Sequence, residues 1–516
     1  MKAPSPGTDR PLGRSPILVG AALAAAACVV ALGLFACGGE DESQGSPKAA
    51  ATGKGPAEAS GDSPRPNVIV IMTDDQAVPE MRAMPKTERL LGDRGATFQN
   101  FITSFPLCCP SRATILTGQY AHNTGVKSDR GYPDFQDQTA TPVALKRDGY
   151  RTGYIGKYIN GYMGVARKDP EVIPAGWSRW FGMLSARMYN WKATDDGTLV
   201  EFGHDPSDYQ TDVFTDRAQR FVGRSVKVGK PFFLTVATLA PHGEPRRTHH
   251  HKWPSPQPAP RDKNNYAHAK LRKPPSFDEA RIGDKPPFLR SPRLKPGHLR
   301  NLRHRERSRL PSLGAVDDMV GKLVRELRET GELDETYIMF TSDNGYLLGE
   351  HRTNGKAILW EEAMRVPMLM RGPGIPAGVK PEQVSANLDI SPTVLDATGV
   401  DPLLDVDGIS LIPLTRDPKL EDHRDVLLEV WKKGVTSKGI RSPRYQYAQH
   451  DVDSDGTADQ YELYDLDRDP YELRNLYRAS TRPDANPTLV AAREALEARL
   501  RELRHCAGGS GADPCR

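Results

Sequence analysis

The sequence predicts an α/β fold in which helices sandwich a mostly parallel central sheet, with a smaller C-terminal subdomain of antiparallel sheet plus helix. Three short, continuously apolar runs, at residues 67–73, 231–238 and 336–341, are typical of strands buried on both faces of a parallel sheet. Residues 313–330 carry apolar side chains at helical spacing until Gly331 ends the pattern. Strands that alternate with helices favour the sandwich.

Polar residues follow the carboxyl end of each predicted strand. Asp74 and Asp75 follow the first strand, His242 lies just beyond the second, and Asp343 and Asn344 follow the third. Ligand sites in open α/β sheets form at this edge. We therefore expect the functional site there.

The chain from residue 421 onward has a different pattern. Short β-type stretches at 445–447 and 461–466 precede an amphipathic helix with Asn486 as N-cap and Pro487 at its first position. One face of this helix carries Leu489, Leu496, Leu500 and Leu503. The predicted catalytic domain is 67–420, and the predicted C-terminal subdomain and tail is 421–516.

The N-terminus is predicted to be a targeting segment. A basic lead with Lys2, Arg10 and Arg14 precedes a run of small apolar residues from 16 to 36, and residues 34–37 resemble a bacterial lipobox. The prediction is a lipoprotein signal peptide at 1–36, a lipidated Cys37 and a flexible tether at 37–66. The alternative is an uncleaved membrane anchor. Both place the catalytic part outside the cytoplasm.

The six cysteines divide by position. Cys28 leaves with the signal and Cys37 carries the lipid, while Cys506 and Cys515 flank a flexible loop that a disulfide can close in an oxidising compartment. Cys108 and Cys109 remain. Vicinal cysteines seldom bond to each other because the ring is strained, so this pair requires another explanation.

Charge is balanced overall but concentrated locally. The formal net charge is +4, yet residues 246–309 hold 18 Lys and Arg against 5 Asp and Glu, a local excess of 13 positive charges. Such a segment indicates an anionic partner. The export signal favours an extracellular polyanion over nucleic acid, and the alternative is a solvated, Pro-rich loop.

The vicinal cysteines open a dense motif. Residues 108–112 read Cys-Cys-Pro-Ser-Arg and residues 116–118 read Leu-Thr-Gly, which resembles the signature of the sulfatase family at seven of eleven positions. The resemblance implies that Cys108 is oxidised to formylglycine, whose hydrate attacks sulfate and then expels it by collapsing to the aldehyde. A sulfated thiol could not do this. The alternative is a buried Cys pair beside a Pro turn.

The resemblance extends to a metal site. Asp74, Asp75, Asp343 and Asn344 match the family's four protein ligands for a divalent cation, with Cys108, as formylglycine, completing the set. These hard oxygen donors suit Ca²⁺, with Mg²⁺ as the alternative. The cation is expected to orient a sulfate oxygen and to stabilise negative charge.

The resemblance also implies a set of cationic catalytic residues. Arg112 is expected to hold the formylglycine hydrate, and Lys157 and Lys356 to bind the sulfate. His242 matches a histidine beside the leaving oxygen. His351, in Gly-Glu-His-Arg, is counted with them in a supporting position.

One position departs from the common family pattern. Many sulfatases have His two residues after the lysine that matches Lys157, whereas this chain has Ile159, followed by Asn160. The form Gly-Lys-Tyr-Ile-Asn-Gly-Tyr resembles the branch that acts on glucosamine 6-sulfate in heparan-type polymers. The resemblance spans residues 67–477 and leaves the base for sulfate elimination unassigned.

The predicted function is therefore hydrolysis of sulfate esters on a sulfated carbohydrate, after a formylglycine-generating enzyme has modified Cys108. One alternative is a phosphonate or phosphate-ester hydrolase of the same superfamily. A second is a sulfated-glycan-binding lipoprotein without turnover.

A second calcium site is predicted independently of the family. Asp451, Asp453, Asp455, Asp459 and Glu462 occupy positions 1, 3, 5, 9 and 12 of a loop with the spacing of an EF-hand, and Gly456 lies at position 6. Strand-like flanks predict that the loop joins a hairpin. The alternative is a solvated Asp/Gly turn.

Overall fold

The structure is a computed structural model that describes residues 65–245, 255–420, 424–432, 434–508 and 515. The predicted signal peptide, the lipidated Cys37 and almost all of the predicted tether lie outside these residues. Within the described part of the chain, no helix is long and apolar enough to cross a membrane.

A nine-stranded sheet forms the centre of the molecule. The five middle strands run parallel, and each edge adds two antiparallel strands. In spatial order the strands are Ala96–Thr97, Met368–Arg371, Thr336–Ser342, Asn67–Thr73, Phe232–Ala237, Arg151–Gly156, Arg179–Met183, Trp191–Asp195 and Thr198–Phe202. All three predicted strands lie at its centre.

Helices cover both faces of this sheet. Alternate residues of Asn67–Thr73 point into two separate apolar cores, because successive side chains of a strand face opposite ways. One core packs against Gln210–Val228 and Pro296–Glu329. The other core packs against Cys108–Thr117, Thr141–Arg147 and Ile390–Thr398. The predicted α/β sandwich is confirmed.

The helix predicted at 313–330 begins much earlier than the apolar pattern indicates. It spans Pro296–Glu329 and contains Pro311. Its first half is rich in Arg and His, so it lacks the apolar period that marks a helix in sequence. Arg305 and Arg309 are nevertheless buried there, because they are bonded to the functional site and to residues around it.

A separate four-stranded antiparallel sheet follows in the C-terminal part. Its strands, in order, are Val426–Lys432, Val435–Arg441, Tyr445–Asp451 and Gln460–Asp465. Helix Pro487–Leu503 packs on it, and Asn486 caps the helix by accepting the Thr488 N–H at 2.9 Å. Cys506 and Cys515 form the predicted disulfide.

Candidate active site

Two neighbouring central strands deliver the acidic residues. Thr73 lies opposite Ser342 in the parallel ladder, so the residues that follow these strands meet at one edge. The Asp75 N–H donates to Asp343 Oδ1 at 3.1 Å, and Asn344 Nδ2 donates to Asp75 Oδ1 at 2.7 Å. Asp74, Asp75, Asp343 and Asn344 are all at most 2% exposed.

Cys108 is the first residue of helix Cys108–Thr117, and its side chain enters this group. Its Sγ lies 3.4 Å from Asp74 Oδ1, 2.6 Å from Lys356 Nζ and 3.6 Å from Lys157 Nζ. Cys109 lies away from the group and accepts the Asn160 N–H at 3.1 Å. The two cysteines therefore have different surroundings, as the motif predicts.

Three cations interleave with the three carboxylates. Arg112 Nε donates to Asp343 Oδ2 at 2.8 Å, and its Nη2 lies 3.3 Å from Asp74 Oδ2. Lys157 pairs with Asp74, and Lys356 pairs with Asp75. The family resemblance implies that Arg112 holds the formylglycine hydrate; in this structure it contacts the carboxylates of Asp74 and Asp343 and donates to the Lys157 carbonyl at 2.5 Å.

Burial and these ion pairs shift the pKa values of the titrating groups in this site. Burial opposes ionisation of Asp74, but Lys157 and the other surrounding cations outweigh it and hold the pKa below the usual range. For Cys108, burial raises the pKa of the thiol well above its usual value, and Asp74 adds to the rise. The thiol is therefore protonated at neutral pH and is a poor nucleophile as it stands.

The carboxylates also have the chemistry of a cation site. One ligand atom from each of Asp74, Asp75, Cys108 and Asp343 lies within 4.8 Å of the others. Carboxylate oxygens with an adjacent amide oxygen from Asn344 are the donors that Ca²⁺ and Mg²⁺ prefer. The residues present fit a hard divalent cation.

His242 lies at the open side of the group. Its Nε2 is 3.8 Å from Asp75 Oδ2, and its buried Nδ1 has no hydrogen-bond partner in the described part of the chain. Burial lowers its pKa, against the opposing effect of Asp74 and Asp75. A neutral imidazole here can accept a proton from a substrate oxygen or donate a hydrogen bond to it.

A cavity of about 490 Å³ opens over Asp75, His242 and Lys356. Its wall includes six residues that the sequence did not single out: Asp129, Arg305, Arg309, Tyr346, Trp431 and Lys432. The sequence feature that could have indicated the two arginines is their i, i+4 spacing, which places both on one face of a helix.

Position 159 offers no titrating side chain. Ile159 is 1% exposed and belongs to the apolar core, and Asn160 contributes its backbone to Cys109. In this fold, Ile159, the residue that departs from the common pattern, packs in the apolar core.

The structure does not bring His351 into the group. The ring lies in a different buried network, where Nδ1 is 2.7 Å from Glu279 and Nε2 is 3.5 Å from Glu362. Burial opposes protonation, but the two glutamates outweigh it and raise the pKa of His351 to about 10. We correct its expected position: His351 lies between Glu279 and Glu362, outside the acidic group.

The predicted second calcium loop is only partly assembled. It joins strands Tyr445–Asp451 and Gln460–Asp465, as expected, and among the described residues Asp451, Asp453 and Asp455 gather within 4.8 Å without Asp459 or Glu462. Glu462 was the expected bidentate ligand. It instead faces the interior, where its carboxylate is bonded to Trp360 Nε1 at 3.1 Å and His450 Nε2 at 3.0 Å.

The basic segment at 246–309 is described only from residue 255. Two of its cations have acidic partners: Arg261 pairs with Asp212, outside the segment, at 2.7 Å, and Lys285 pairs with Glu279, within it, at 3.2 Å. A polyanionic partner for this segment stays a prediction.

Fold and site together define the class of protein: it is a hydrolase whose site places a buried Cys among carboxylates and cations at the edge of a parallel sheet. The sulfatase family model matches residues 66–400, and the model of the N-sulphoglucosamine sulphohydrolase C-terminal region matches residues 349–504. The chain belongs to the sulfatase family.

Similar proteins agree with this assignment. The chain is 37% identical to the extracellular sulfatase SULF-1 homolog of Drosophila melanogaster over 68% of its own length, and it covers 31% of that protein. It is 36% identical to human N-acetylglucosamine-6-sulfatase over 72% of its length, covering 68% of that protein. A protein solved with its substrate D-glucosamine-2-N,6-O-disulfate matches with a TM-score of 0.69 and 24% identity, over 85% of this chain and 97% of that one.

Proposed function

We propose that this protein hydrolyses sulfate esters on sulfated sugars, with glucosamine 6-sulfate groups as the substrate class. The observation that carries the proposal is the position of Cys108, whose Sγ lies among Asp74, Lys157 and Lys356, the last of which also lines the cavity. This group of residues combines a site for a nucleophile with positive charge for an anionic substrate.

The buried Cys108 thiol supports conversion to formylglycine. The thiol has a raised pKa, so it does not supply a thiolate at neutral pH. Formylglycine, made by a formylglycine-generating enzyme, would add water to give a hydrate, one hydroxyl of which attacks sulfur as the sugar alcohol leaves with a proton. Loss of the proton from the second hydroxyl would then break the C–O bond to sulfate, releasing sulfate and regenerating the aldehyde. Asp74 Oδ1, 3.4 Å from Sγ, is placed to accept a hydrogen bond from the hydrate.

Asp74, Asp75, Asp343 and Asn344 would hold a divalent cation, which we propose is Ca²⁺, with residue 108 as a further ligand. When bound, the cation stabilises negative charge on the sulfate. Lys157 and Lys356 now pair with Asp74 and Asp75, carboxylates that a cation would also use. Neutralisation of these carboxylates by the cation would leave both ammonium groups for the sulfate oxygens.

The remaining polar residues orient the reaction. Arg112 bridges Asp343 and Asp74, which fixes two carboxylates that flank Cys108. His242, whose Nε2 lies 3.8 Å from Asp75 Oδ2 at the cavity, is placed to donate a hydrogen bond to the leaving sugar oxygen. Since position 159 is Ile, the base for sulfate release is not supplied from there.

The substrate class is argued from the relatives and from size. Human N-acetylglucosamine-6-sulfatase shares 36% identity with this chain, and the cavity of about 490 Å³ is large enough for a sugar unit. Positive residues along its wall, Arg305 and Lys432, favour an anionic sugar.

We place the catalytic part outside the cytoplasm, anchored through a lipidated Cys37 or secreted. The N-terminal sequence pattern supports this placement. The name of the Drosophila relative, an extracellular sulfatase, is consistent with it.

The test compares turnover of an aryl sulfate, an aryl phosphodiester and glucosamine 6-sulfate by the purified enzyme, with Cys108→Ala as the inactive control. We expect sulfate release from both sulfates, with the aryl sulfate hydrolysed far faster than the phosphodiester. Preference for the phosphodiester would contradict the proposal and favour a phosphate-ester hydrolase. Sugar binding without turnover would favour a binding lipoprotein.

A further inference from the structure

Arg309 is buried beside the site and belongs to none of its predicted residues. It is 1% exposed, and its guanidinium lies 4.9 Å from the centre of the Tyr346 ring. Nε and Nη2 donate to the two carboxylate oxygens of Glu80, each at 2.6 Å. Nη2 also donates to the Asp75 carbonyl at 2.5 Å, and Nη1 donates to the Pro241 carbonyl at 3.3 Å.

This arrangement requires a guanidinium. The carboxylate of Glu80 is held by two N–H groups along one edge of the planar fork, which fixes the plane and aims the remaining N–H groups at the two carbonyls. A lysine ammonium is a single point of charge and cannot span the same three partners.

The first carbonyl belongs to a strained residue. Asp75 has φ of 70°, a left-handed conformation that a non-glycine residue adopts only when its surroundings hold it. Its N–H is held by Asp343 and its carbonyl by Arg309, so the peptide groups on both sides of Asp75 are fixed. The carboxylate is thereby directed at Lys356 and Asn344.

The second carbonyl belongs to the residue before His242. One guanidinium therefore ties the backbone of Asp75 to the backbone that carries His242, whose Nε2 is 3.8 Å from Asp75 Oδ2. These two residues come from different strand ends of the central sheet, and Arg309 comes from a third element, helix Pro296–Glu329.

We propose that Arg309 is a positioning residue that holds Asp75 in its strained conformation and sets its distance from His242. The inference rests on the proposed function for its effects on turnover and on calcium affinity, whereas the geometry itself is independent of the reaction. It predicts an effect on the catalytic step and on calcium affinity, with little effect on substrate binding.

The test substitutes Arg309→Lys and compares it with Arg441→Lys. Arg441 is a matched control: it is 3% exposed, donates to Glu361 at 2.8 Å and to two backbone carbonyls, and lies in the C-terminal sheet. Each variant is assayed on an aryl sulfate for kcat and KM per folded molecule. Each is also titrated with Ca²⁺ by calorimetry and crystallised without substrate.

For Arg309→Lys we expect kcat to fall about 10-fold with KM changed by less than about threefold, and calcium affinity to weaken about 10-fold. The crystal structure should show Asp75 relaxed from its φ of 70°. Arg441→Lys should lose thermal stability while kcat, KM and calcium affinity stay at wild-type values.

Equal kcat loss in the two variants, a loss confined to KM, or an unchanged Asp75 in the Arg309→Lys crystal would overturn the positioning role. A wild-type enzyme that leaves every sulfate ester intact contradicts the proposed function instead. In that case the crystal structure and the calcium titration still decide the role of Arg309.

Discussion

The buried position of His351 predicts a pH dependence of folding. Its ring is 1% exposed and lies between Glu279 and Glu362, which raise its pKa from 6.5 to about 10 against the effect of burial. The folded protein thus keeps the imidazolium proton at pH values where the unfolded chain has lost it. This stabilisation is complete below pH 6.5 and is lost as pH rises towards 10.

The magnitude follows from the difference in pKa. A difference of about 3.5 between the folded and unfolded states corresponds to at most about 5 kcal/mol of folding free energy between pH 6 and 10.

The assay compares thermal unfolding of the wild type and His351→Gln from pH 6 to pH 10, at fixed calcium concentration and scan rate. The variant should be destabilised most at pH 6, and the two midpoints should converge as pH rises. His268→Gln, which alters an exposed histidine, serves as the control and should follow the wild type.

Parallel curves for the wild type and His351→Gln would refute this reasoning. Turnover per folded molecule of His351→Gln should stay within about twofold of wild type, since the ring lies against Glu279, Glu362 and Trp360, which are not residues of the proposed reaction centre. A 100-fold loss of turnover would instead support a catalytic role for His351.

Three further predictions concern cations and charge. Asp75→Ala and Asp343→Ala should each lower the rate at least ~10²-fold, and a chelator should mimic them until calcium is restored; full activity in metal-free enzyme would contradict the metal site. Raising salt to about 1 M should weaken binding of a polysulfated polymer far more than binding of an aryl sulfate, because the Debye length falls to about 3 Å, and equal sensitivity would exclude a role for the basic segment. Asp453→Ala with Asp455→Ala should lower the calcium-dependent rise in melting temperature while leaving turnover unchanged; a calorimetric calcium stoichiometry that this pair does not alter would eliminate the second site.

The parts of the site that the sequence reveals are those encoded locally. Asp74 and Asp343 directly follow apolar strands, and parallel strands bring their carboxyl ends to one edge, so their proximity follows from the pattern. Cys108 is marked by a motif of contiguous residues, and its helix begins at that residue.

The parts of the site that the sequence does not reveal depend on long-range packing. Arg309 reaches Asp75 across 234 positions of sequence, from a half-helix that lacks an apolar period. Glu462 has the spacing of a calcium ligand, but Trp360 and His450 bind its carboxylate in the interior. Spacing along one segment carries no information about such partners.

The most direct test of the proposed chemistry is the mass of the peptide that carries residues 108 and 109, taken from enzyme with measured sulfatase activity. We predict an aldehyde or its hydrate at residue 108, seen as a mass below that of the thiol form for the aldehyde, with Cys109 as an unmodified thiol. Cys109→Ala should keep the modification and substantial activity, whereas Cys108→Ala should lose both. Fully active enzyme with an intact thiol at Cys108 would contradict the account.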